Sequence, residues 1–264
     1  MEKPRLKILL AMLLVMAVVV GYALYPKPLH LDVTLKQAKL PKVEAPAKPK
    51  LAQRAAARAD SARRVAAVAK KPLLPDTARQ RILFIGDSML DGLAPRLAGY
   101  AEANGYSYYC VIWYGSSTQS WATTRTLEHF VQQVKPTYLL ISLGGNELFV
   151  RDLDERDQYI KTLVKKIGDL PYIWIGPPNW KPDTGINKLI LANVGKDHFF
   201  DSSHLTLERR KDHAHPTPKA AAHWFDLVAK WMETDCAHPL RMKVPVKKSP
   251  LRHVEILGMD AKGY

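Results

Sequence analysis

Four short blocks of the sequence carry residue types that can act together in nucleophilic catalysis. They contain Ser88 after a Gly-Asp pair, Gly115 in Tyr-Gly-Ser-Ser, Asn146 after two glycines, and Asp212 and His215 three positions apart. A serine hydroxyl becomes a good nucleophile when a histidine removes its proton and a carboxylate orients that histidine. Backbone N–H groups and a side-chain amide can then stabilise the oxyanion formed during acyl transfer. These residue types therefore indicate an enzyme that works through an acyl-enzyme.

The segments that must position these blocks alternate between short apolar runs and longer periodic stretches. This pattern is typical of an α/β protein with a parallel sheet covered by helices on both faces. Ligands bind such sheets at the carboxyl ends of the strands, and three of the four blocks directly follow an apolar run. The predicted strands are residues 81–85, 108–113, 138–143, 172–175 and 198–200, and the predicted helices are 89–104, 121–134, 154–167, 187–194 and 218–234.

In this order the blocks resemble those of the SGNH hydrolases, also called the GDSL family. The resemblance covers about residues 81–231. It implies a flavodoxin-like three-layer α/β/α sandwich with a parallel sheet, and esterase or acyltransferase chemistry. In that pattern Ser88 is the nucleophile, His215 is the base, and Asp212 orients the base.

The resemblance also implies an oxyanion hole made of the Ser88 and Gly115 N–H groups and the Asn146 amide. Losing one such donor typically raises the barrier by about 2.7 to 4 kcal/mol. Glu147 departs from the pattern, because the family usually has Asp at that position. The departure puts the packing of this loop in question more than the chemistry.

A second pair, Asp201 and His204, has the same spacing as Asp212 and His215. The resemblance favours the later pair, because Pro-Thr and the last predicted helix follow it, as in the family. His213 is a minor competitor for the role of base.

Two tryptophans, Trp121 and Trp180, stand near the predicted site and are candidates either for substrate contact or for structural packing. The other histidines form no pattern with cysteine or acidic residues that indicates a metal, so no metal and no other cofactor is expected. Cys110 and Cys236 are expected to be free thiols, with a disulfide between them as the alternative.

The N-terminus predicts the location of the protein. Residues 8–25 carry no charge and would span about 27 Å as a helix, which is enough to cross a bilayer. Positive residues precede this run, so the short tail is expected in the cytoplasm and the remaining chain in the periplasm, as a single-pass inner-membrane protein. The alternative is a cleaved signal peptide and a secreted protein.

Composition divides the rest of the chain. Residues 26–78 are rich in Ala, Lys and Pro and predict a linker, 79–236 predict the hydrolase-like domain, and 237–264 predict an irregular extension. The net charge is +14, but residues 1–78 carry +10 of it. The predicted domain and its extension are therefore nearly neutral, and no nucleic-acid partner is expected.

These observations together predict a membrane-tethered serine esterase or O-acyltransferase. The expected substrate is an O-acyl group, acetyl above all, on an envelope carbohydrate. A lipolytic esterase or thioesterase and a non-catalytic polysaccharide-binding scaffold are the alternatives. The sequence leaves open hydrolysis against transfer, the identity of the glycan, and the oligomeric state.

Overall fold

The computed structural model describes residues 12–18, 20–21 and 75–264. The chain divides into two units, Met1–Ala69 and Lys70–Tyr264. In the first unit the described residues are helical and exposed. None of the helices in the described ranges is long and apolar enough to cross a membrane. Half of the predicted span over residues 8–25 lies outside the described residues, as does the predicted linker over residues 26–78 except for residues 75–78.

The second unit is an α/β domain with the predicted alternation of strands and helices. The helix predicted over residues 121–134 is two helices, because Thr124 has an extended backbone between them. The strands are β1 (Arg81–Gly86), β2 (Ser107–Trp113), β3 (Tyr138–Ser142), β4 (Tyr172–Ile175), β5 (Phe199–Phe200) and β6 (Val254–Leu257). The helices are α1 (Leu90–Asn104), α2 (Thr118–Thr123), α3 (Thr126–Val134), α4 (Leu153–Ile167), α5 (Ile186–Val194) and α6 (Pro218–Thr234), with a 3-10 turn over Gly145–Glu147.

The six strands form one sheet in the order β5-β4-β3-β1-β2-β6, and all neighbouring strands are parallel. Successive side chains along each strand point to opposite faces of the sheet, and they contribute to two separate apolar clusters, one on each face. One cluster contains the buried residues of α1 and α6, and the other contains those of α2 to α5. The domain is therefore a three-layer α/β/α sandwich with β1 in the interior of the sheet.

The C-terminal segment, predicted to be an irregular extension over residues 237–264, contributes a strand. Val254–Leu257 pairs with β2 in parallel and forms an edge of the sheet. The short apolar run Val-Glu-Ile-Leu stands in a Pro-containing tail, so its local pattern is too weak to indicate a strand without the partner that β2 supplies.

The folded part also begins earlier than the predicted boundary at residue 79. Asp76 bridges to Leu240, with its N–H donating to the Pro239 carbonyl over 2.8 Å and its carbonyl accepting from the Arg241 N–H over 3.0 Å. These backbone bonds fix residue 76 on the domain, so the start of the folded part lies at or before that position.

Candidate active site

Ser88 stands at the carboxyl end of the interior strand β1, two residues before α1 begins. The turn that carries it passes very close to β3, because a Cβ on Gly86 would lie 2.5 Å from the Ser142 carbonyl oxygen. Asp87 closes the turn, since its carboxylate accepts the Met89 N–H over 2.9 Å. The helix start is therefore held by Asp87, and the Ser88 hydroxyl is free for another partner.

That partner is His215. The distance from Ser88 Oγ to His215 Nε2 is 2.8 Å, and His215 Nδ1 lies 3.0 Å from Asp212 Oδ2. The structure thus brings the three residues of the predicted triad into one hydrogen-bonded chain. In this arrangement the imidazole can accept the serine proton at Nε2 while the carboxylate holds the proton on Nδ1.

Asp212 is stabilised as a carboxylate. Its Oδ1 accepts the N–H groups of Ala214 and His215, each over 2.9 Å. These backbone bonds, together with the His215 side chain, lower the pKa of Asp212 to about 2. The group is therefore negatively charged at neutral pH and can stabilise the imidazolium that forms when His215 takes a proton.

Two arginines, Arg209 and Arg210, hold the loop that carries Asp212 and His215. Arg209 and Pro216 form an antiparallel bridge, and the Arg209 guanidinium donates to the Ala214 carbonyl over 2.6 Å. The Arg210 N–H donates to the His215 carbonyl over 2.7 Å. Burial lowers the pKa of Arg209 somewhat, and the nearby Asp212 opposes that change.

The packing of α1 on α6 explains why Ser88 and His215 meet although they are 127 residues apart. A Cβ on Gly92 would lie 2.8 Å from the Ala221 Cβ, so glycine lets the first turns of the two helices touch. Ser88 lies two residues before α1, and His215 lies three residues before α6, so this contact places both at the same edge of the sheet.

The Gly115 and Ser88 N–H groups are available as oxyanion donors. In the described part of the chain neither donates a hydrogen bond. Gly115 is exposed, and its φ of 72° is a conformation that glycine adopts without strain. The side chain nearest to a Cβ built on Gly115 is Met259, 3.6 Å away and itself 79% exposed.

Asn146 is exposed, and its amide donates one N–H to the Ser116 carbonyl over 2.9 Å. This bond places the amide beside the residue that follows Gly115. An amide has a second N–H, which is the donor that the predicted oxyanion hole requires. The 3-10 turn that carries Asn146 is tied to the nucleophile turn, because the Gly145 N–H donates to Asp87 over 3.0 Å.

The contacts of Glu147 show how this loop packs although Glu replaces the family's usual Asp. Its carboxylate is buried and accepts both the N–H and the hydroxyl of Thr118, over 2.8 and 2.6 Å, with Arg156 3.6 Å away. Burial raises its pKa, and the bonds from Thr118 oppose that change. The longer side chain therefore links the Asn146 turn to α2, just after the Gly115 block.

Asp87 is the other buried carboxylate of the site. Burial raises its pKa to about 7, although the N–H groups of Met89 and Gly145 favour the charged form. Glu147 adds a smaller upward contribution through charge repulsion. Asp87 fixes the turn around Ser88 but makes no hydrogen bond to the triad among the described residues.

The two tryptophans proposed from sequence differ in their surroundings. Trp121 is 0% exposed, donates to the Ser116 hydroxyl over 3.0 Å and packs edge-on against Trp113. It is part of the core, so the prediction that it contacts substrate is wrong. Trp180 is half-buried, with Phe149 edge-on at 5.8 Å and the Arg209 guanidinium over its ring.

The alternative pair, Asp201 and His204, lies elsewhere. Asp201 follows β5 and accepts the Ser203 N–H over 2.9 Å, and no hydrogen bond joins it to His204 within the described residues. The cysteines Cys110 and Cys236 are both buried free thiols. Within residues 75–264 and the short N-terminal helix, no three His, Cys, Asp or Glu side chains are grouped to hold a metal.

Sequence reasoning missed Arg209, Gly92 and Met259. The adjacent arginines Arg209 and Arg210 gave one signal, because charged residues just before a candidate catalytic loop can anchor it. Gly92 gave another, since a glycine inside a helix indicates close packing. Met259 gave none, because nothing in the tail indicates that it returns to Gly115.

No protein-family model matches the chain, and no curated protein matches it. The solved structures that are similar to it include the following two. A gut microbial diltiazem-metabolizing enzyme is 16% identical with a TM-score of 0.44, over 59% of this chain and 48% of that one. A protein described as lipolytic and of the G-D-S-L family, from Desulfitobacterium hafniense DCB-2, is 17% identical with a TM-score of 0.41, over 57% of this chain and 98% of that one.

The chain spans about half the length of the first of these structures. Similarity at this level carries no conclusion about activity, which has to rest on the residues themselves. The order of the four blocks, the parallel sheet and the hydrogen-bonded chain from Ser88 to Asp212 are those of the SGNH hydrolase pattern that the sequence resembles.

Proposed function

We propose that the protein is a serine ester hydrolase or O-acyltransferase that works through an acyl-enzyme on Ser88. The observation that supports this most directly is the chain of two hydrogen bonds from Ser88 through His215 to Asp212. A serine that only capped a helix would not need a histidine at its hydroxyl and a carboxylate behind that histidine.

In the first half-reaction, Ser88 Oγ forms a bond to the acyl carbon while its proton moves to His215 Nε2. The carbonyl oxygen becomes an oxyanion, which the N–H groups of Ser88 and Gly115 and the free N–H of Asn146 stabilise. The C–O bond to the alcohol then breaks, and the leaving oxygen takes the proton from His215. Asp212 keeps the imidazole in the required tautomer throughout.

In the second half-reaction, a water molecule or a sugar hydroxyl attacks the acyl carbon and gives its proton to His215. The bond to Ser88 breaks, and Ser88 Oγ takes the proton back. Water yields a free acid, and a hydroxyl yields a new ester. The same residues serve both outcomes, so the acceptor alone distinguishes hydrolysis from transfer.

For the substrate, we propose an O-acyl group, acetyl above all, on a carbohydrate of the cell envelope. The His215 and Asp212 side chains keep 31% and 48% of their surface exposed, which suits a short acyl group presented by a large polymer. The uncharged run over residues 8–25 and the positive residues before it support a domain tethered on the outer side of the inner membrane.

The test is to assay the full chain in detergent micelles with an aryl acetate and with an acetylated oligosaccharide, and to analyse the products with and without an added acceptor glycan. We expect turnover of both esters, with free acetate marking hydrolysis and acetylated acceptor marking transfer. Ser88→Ala should abolish both products with its melting temperature preserved. Turnover by Ser88→Ala at the wild-type rate would contradict the mechanism.

A further inference from the structure

A groove on the surface of the domain runs away from the candidate active site. It encloses about 840 Å³ between α1, α6 and residues 247–249. Ligand pockets typically measure about 300–1,000 Å³, so this groove is large enough for more than a single small group. We refer to it as the α1–α6 groove.

One end of the α1–α6 groove adjoins the triad. Asp91 lines this end, and its N–H donates to the Ser88 carbonyl over 3.2 Å, within one turn of the nucleophile. Arg210 lines it as well, and its N–H donates to the His215 carbonyl over 2.7 Å. The two side chains form an ion pair at 3.4 Å. The triad itself does not line the groove, but a polymer lying in it would extend toward Ser88 at this end.

The groove is positively charged. Five lysine and arginine side chains line it against two aspartates, a surplus of three charges, and both aspartates already pair with arginine. Residues 79–264 as a whole carry only four more positive than negative side chains, so most of this positive surplus lies in the groove. The lining lysines, all exposed and in no ion pair within the described residues, are Lys219, Lys247 and Lys248.

Two of these lysines belong to a segment that is fixed on the domain. The Lys243 backbone exchanges two hydrogen bonds with the Asn104 side chain, over 2.9 and 3.0 Å. Pro245 is buried, and a Cβ on Gly99 would lie 3.1 Å from its ring. These contacts hold residues 243–245 against α1, so the chain approaches Lys247 and Lys248 from a fixed point.

We propose that the α1–α6 groove binds an acidic glycan, whose negative charges are carboxylates or phosphates, and presents its O-acyl groups to Ser88. This inference rests on the proposed function and specifies its substrate class. Lysine ammonium groups along a groove act as point charges that attract repeated anions without a fixed geometry. A neutral glycan gains nothing from them, so the groove selects for charge.

The kinetic test compares three acetylated polymers, a polyuronate, a phosphomannan and the neutral dextran, with the full chain at low ionic strength. We expect kcat/KM for at least one acidic polymer to exceed that for dextran by about tenfold or more, and the difference to shrink as salt screens the charges. Equal turnover of all three polymers would overturn the inference.

Variants test the groove itself. Combining Lys219→Gln, Lys247→Gln and Lys248→Gln should lower the ratio of kcat/KM on the acidic polymer to that on an aryl acetate by about tenfold. The matched control combines Lys165→Gln, Lys196→Gln and Lys230→Gln, which remove three exposed charges outside the groove. The control should keep the wild-type ratio, and an equal fall in both triple variants would reject the groove as the site.

Binding separates this inference from the proposed function. A fluorescein-labelled oligouronate or phosphorylated oligomannose should bind the full-length Ser88→Ala variant, and the groove substitutions should weaken binding about tenfold by fluorescence anisotropy. Binding that the groove substitutions leave unchanged would overturn the inference even if Ser88 proved reactive. Groove-dependent binding by a chain whose Ser88 proved unreactive would instead refute only the proposed function.

Discussion

Residues 201–204 and 212–215 are two Asp-x-x-His segments of identical spacing, and the structure uses them in different ways. Residues 212–215 form a closed loop in which the carboxylate contacts the imidazole and the imidazole contacts Ser88. Residues 201–204 form a turn in which Asp201 bonds the Ser203 backbone instead. The buried Ser202 accepts from the Trp224 indole over 2.8 Å, so this turn contributes to the core.

Position in the sheet explains the difference. Residues 201–204 follow β5, an edge strand three places from β1, which at ordinary strand spacing is about 14 Å away. Residues 212–215 precede α6, whose first turn touches the first turn of α1 beside Ser88. Spacing along the chain therefore allows an Asp–His pair, but the packing of α1 on α6 determines which pair reaches the nucleophile.

The largest effect is expected from the pair that reaches Ser88. His215→Ala removes the general base, and Asp212→Asn leaves the imidazole in the wrong tautomer, so each should lower kcat by about three orders of magnitude or more. Adding Ser88→Ala to either should cost little further, because the triad acts as a unit. Esterase kinetics with thermal unfolding of each variant provide the measurement. Active, folded 212 and 215 variants would contradict the assignment.

A smaller loss is expected at the oxyanion hole. Asn146→Ala removes one donor and should lower kcat by about 10²- to 10³-fold. Asn146→Asp serves as a control of similar size, and it should be no better than Ala because a carboxylate repels an oxyanion. Steady-state kinetics on an aryl acetate measure both. An alanine variant within threefold of wild type would remove Asn146 from the site.

Arg209 tests whether the anchoring of residues 212–215 matters. Its guanidinium holds the Ala214 carbonyl, and a charge-assisted hydrogen bond of this kind contributes about 1.5–3 kcal/mol. Arg209→Gln should therefore lower kcat by about 10- to 100-fold with a smaller change in KM, and Arg209→Lys should recover part of the loss. A fall in melting temperature without a fall in kcat would show that the contact only stabilises the fold.

The low pKa of Asp212 predicts a difference in acid stability. Because the pKa is lowered from 3.8 to about 2 in the folded state, Asp212 stabilises the fold above pH 4, and this contribution is lost as the pH falls through 2. Wild type should be more stable than Asp212→Asn above pH 4, and the two should converge toward pH 2. Urea unfolding across this range measures the difference, and a constant gap between the curves would refute the prediction.

The smallest effect is expected at the other pair. Asp201→Asn and His204→Ala should change kcat by less than about tenfold, because in the part of the chain that the structure describes no hydrogen bond joins either side chain to the triad. Their melting temperatures show whether any loss reflects unfolding of the turn. A collapse of activity in these variants, with folded and active 212 and 215 variants, would move the catalytic loop to residues 201–204.

Much of the fold and site could be predicted from local pattern. Five of the six strands stand out as apolar runs, and the site blocks follow the strand ends because parallel strands place their carboxyl ends at one edge. Other features depend on partners distant in sequence. The strand Val254–Leu257 forms by pairing with β2. The buried Trp121 donates a hydrogen bond to Ser116, and the Glu147 carboxylate accepts one from Thr118.

The central claim is that Ser88 is a nucleophile activated by His215, and a fluorophosphonate probe tests it most directly. The full chain is incubated with the probe, digested, and the labelled peptide is mapped by mass spectrometry for wild type, His215→Ala and His204→Ala. We predict rapid labelling at Ser88 in wild type and in His204→Ala, and strongly reduced labelling in His215→Ala. Labelling at another residue, or equal labelling of Ser88 without His215, would contradict the account.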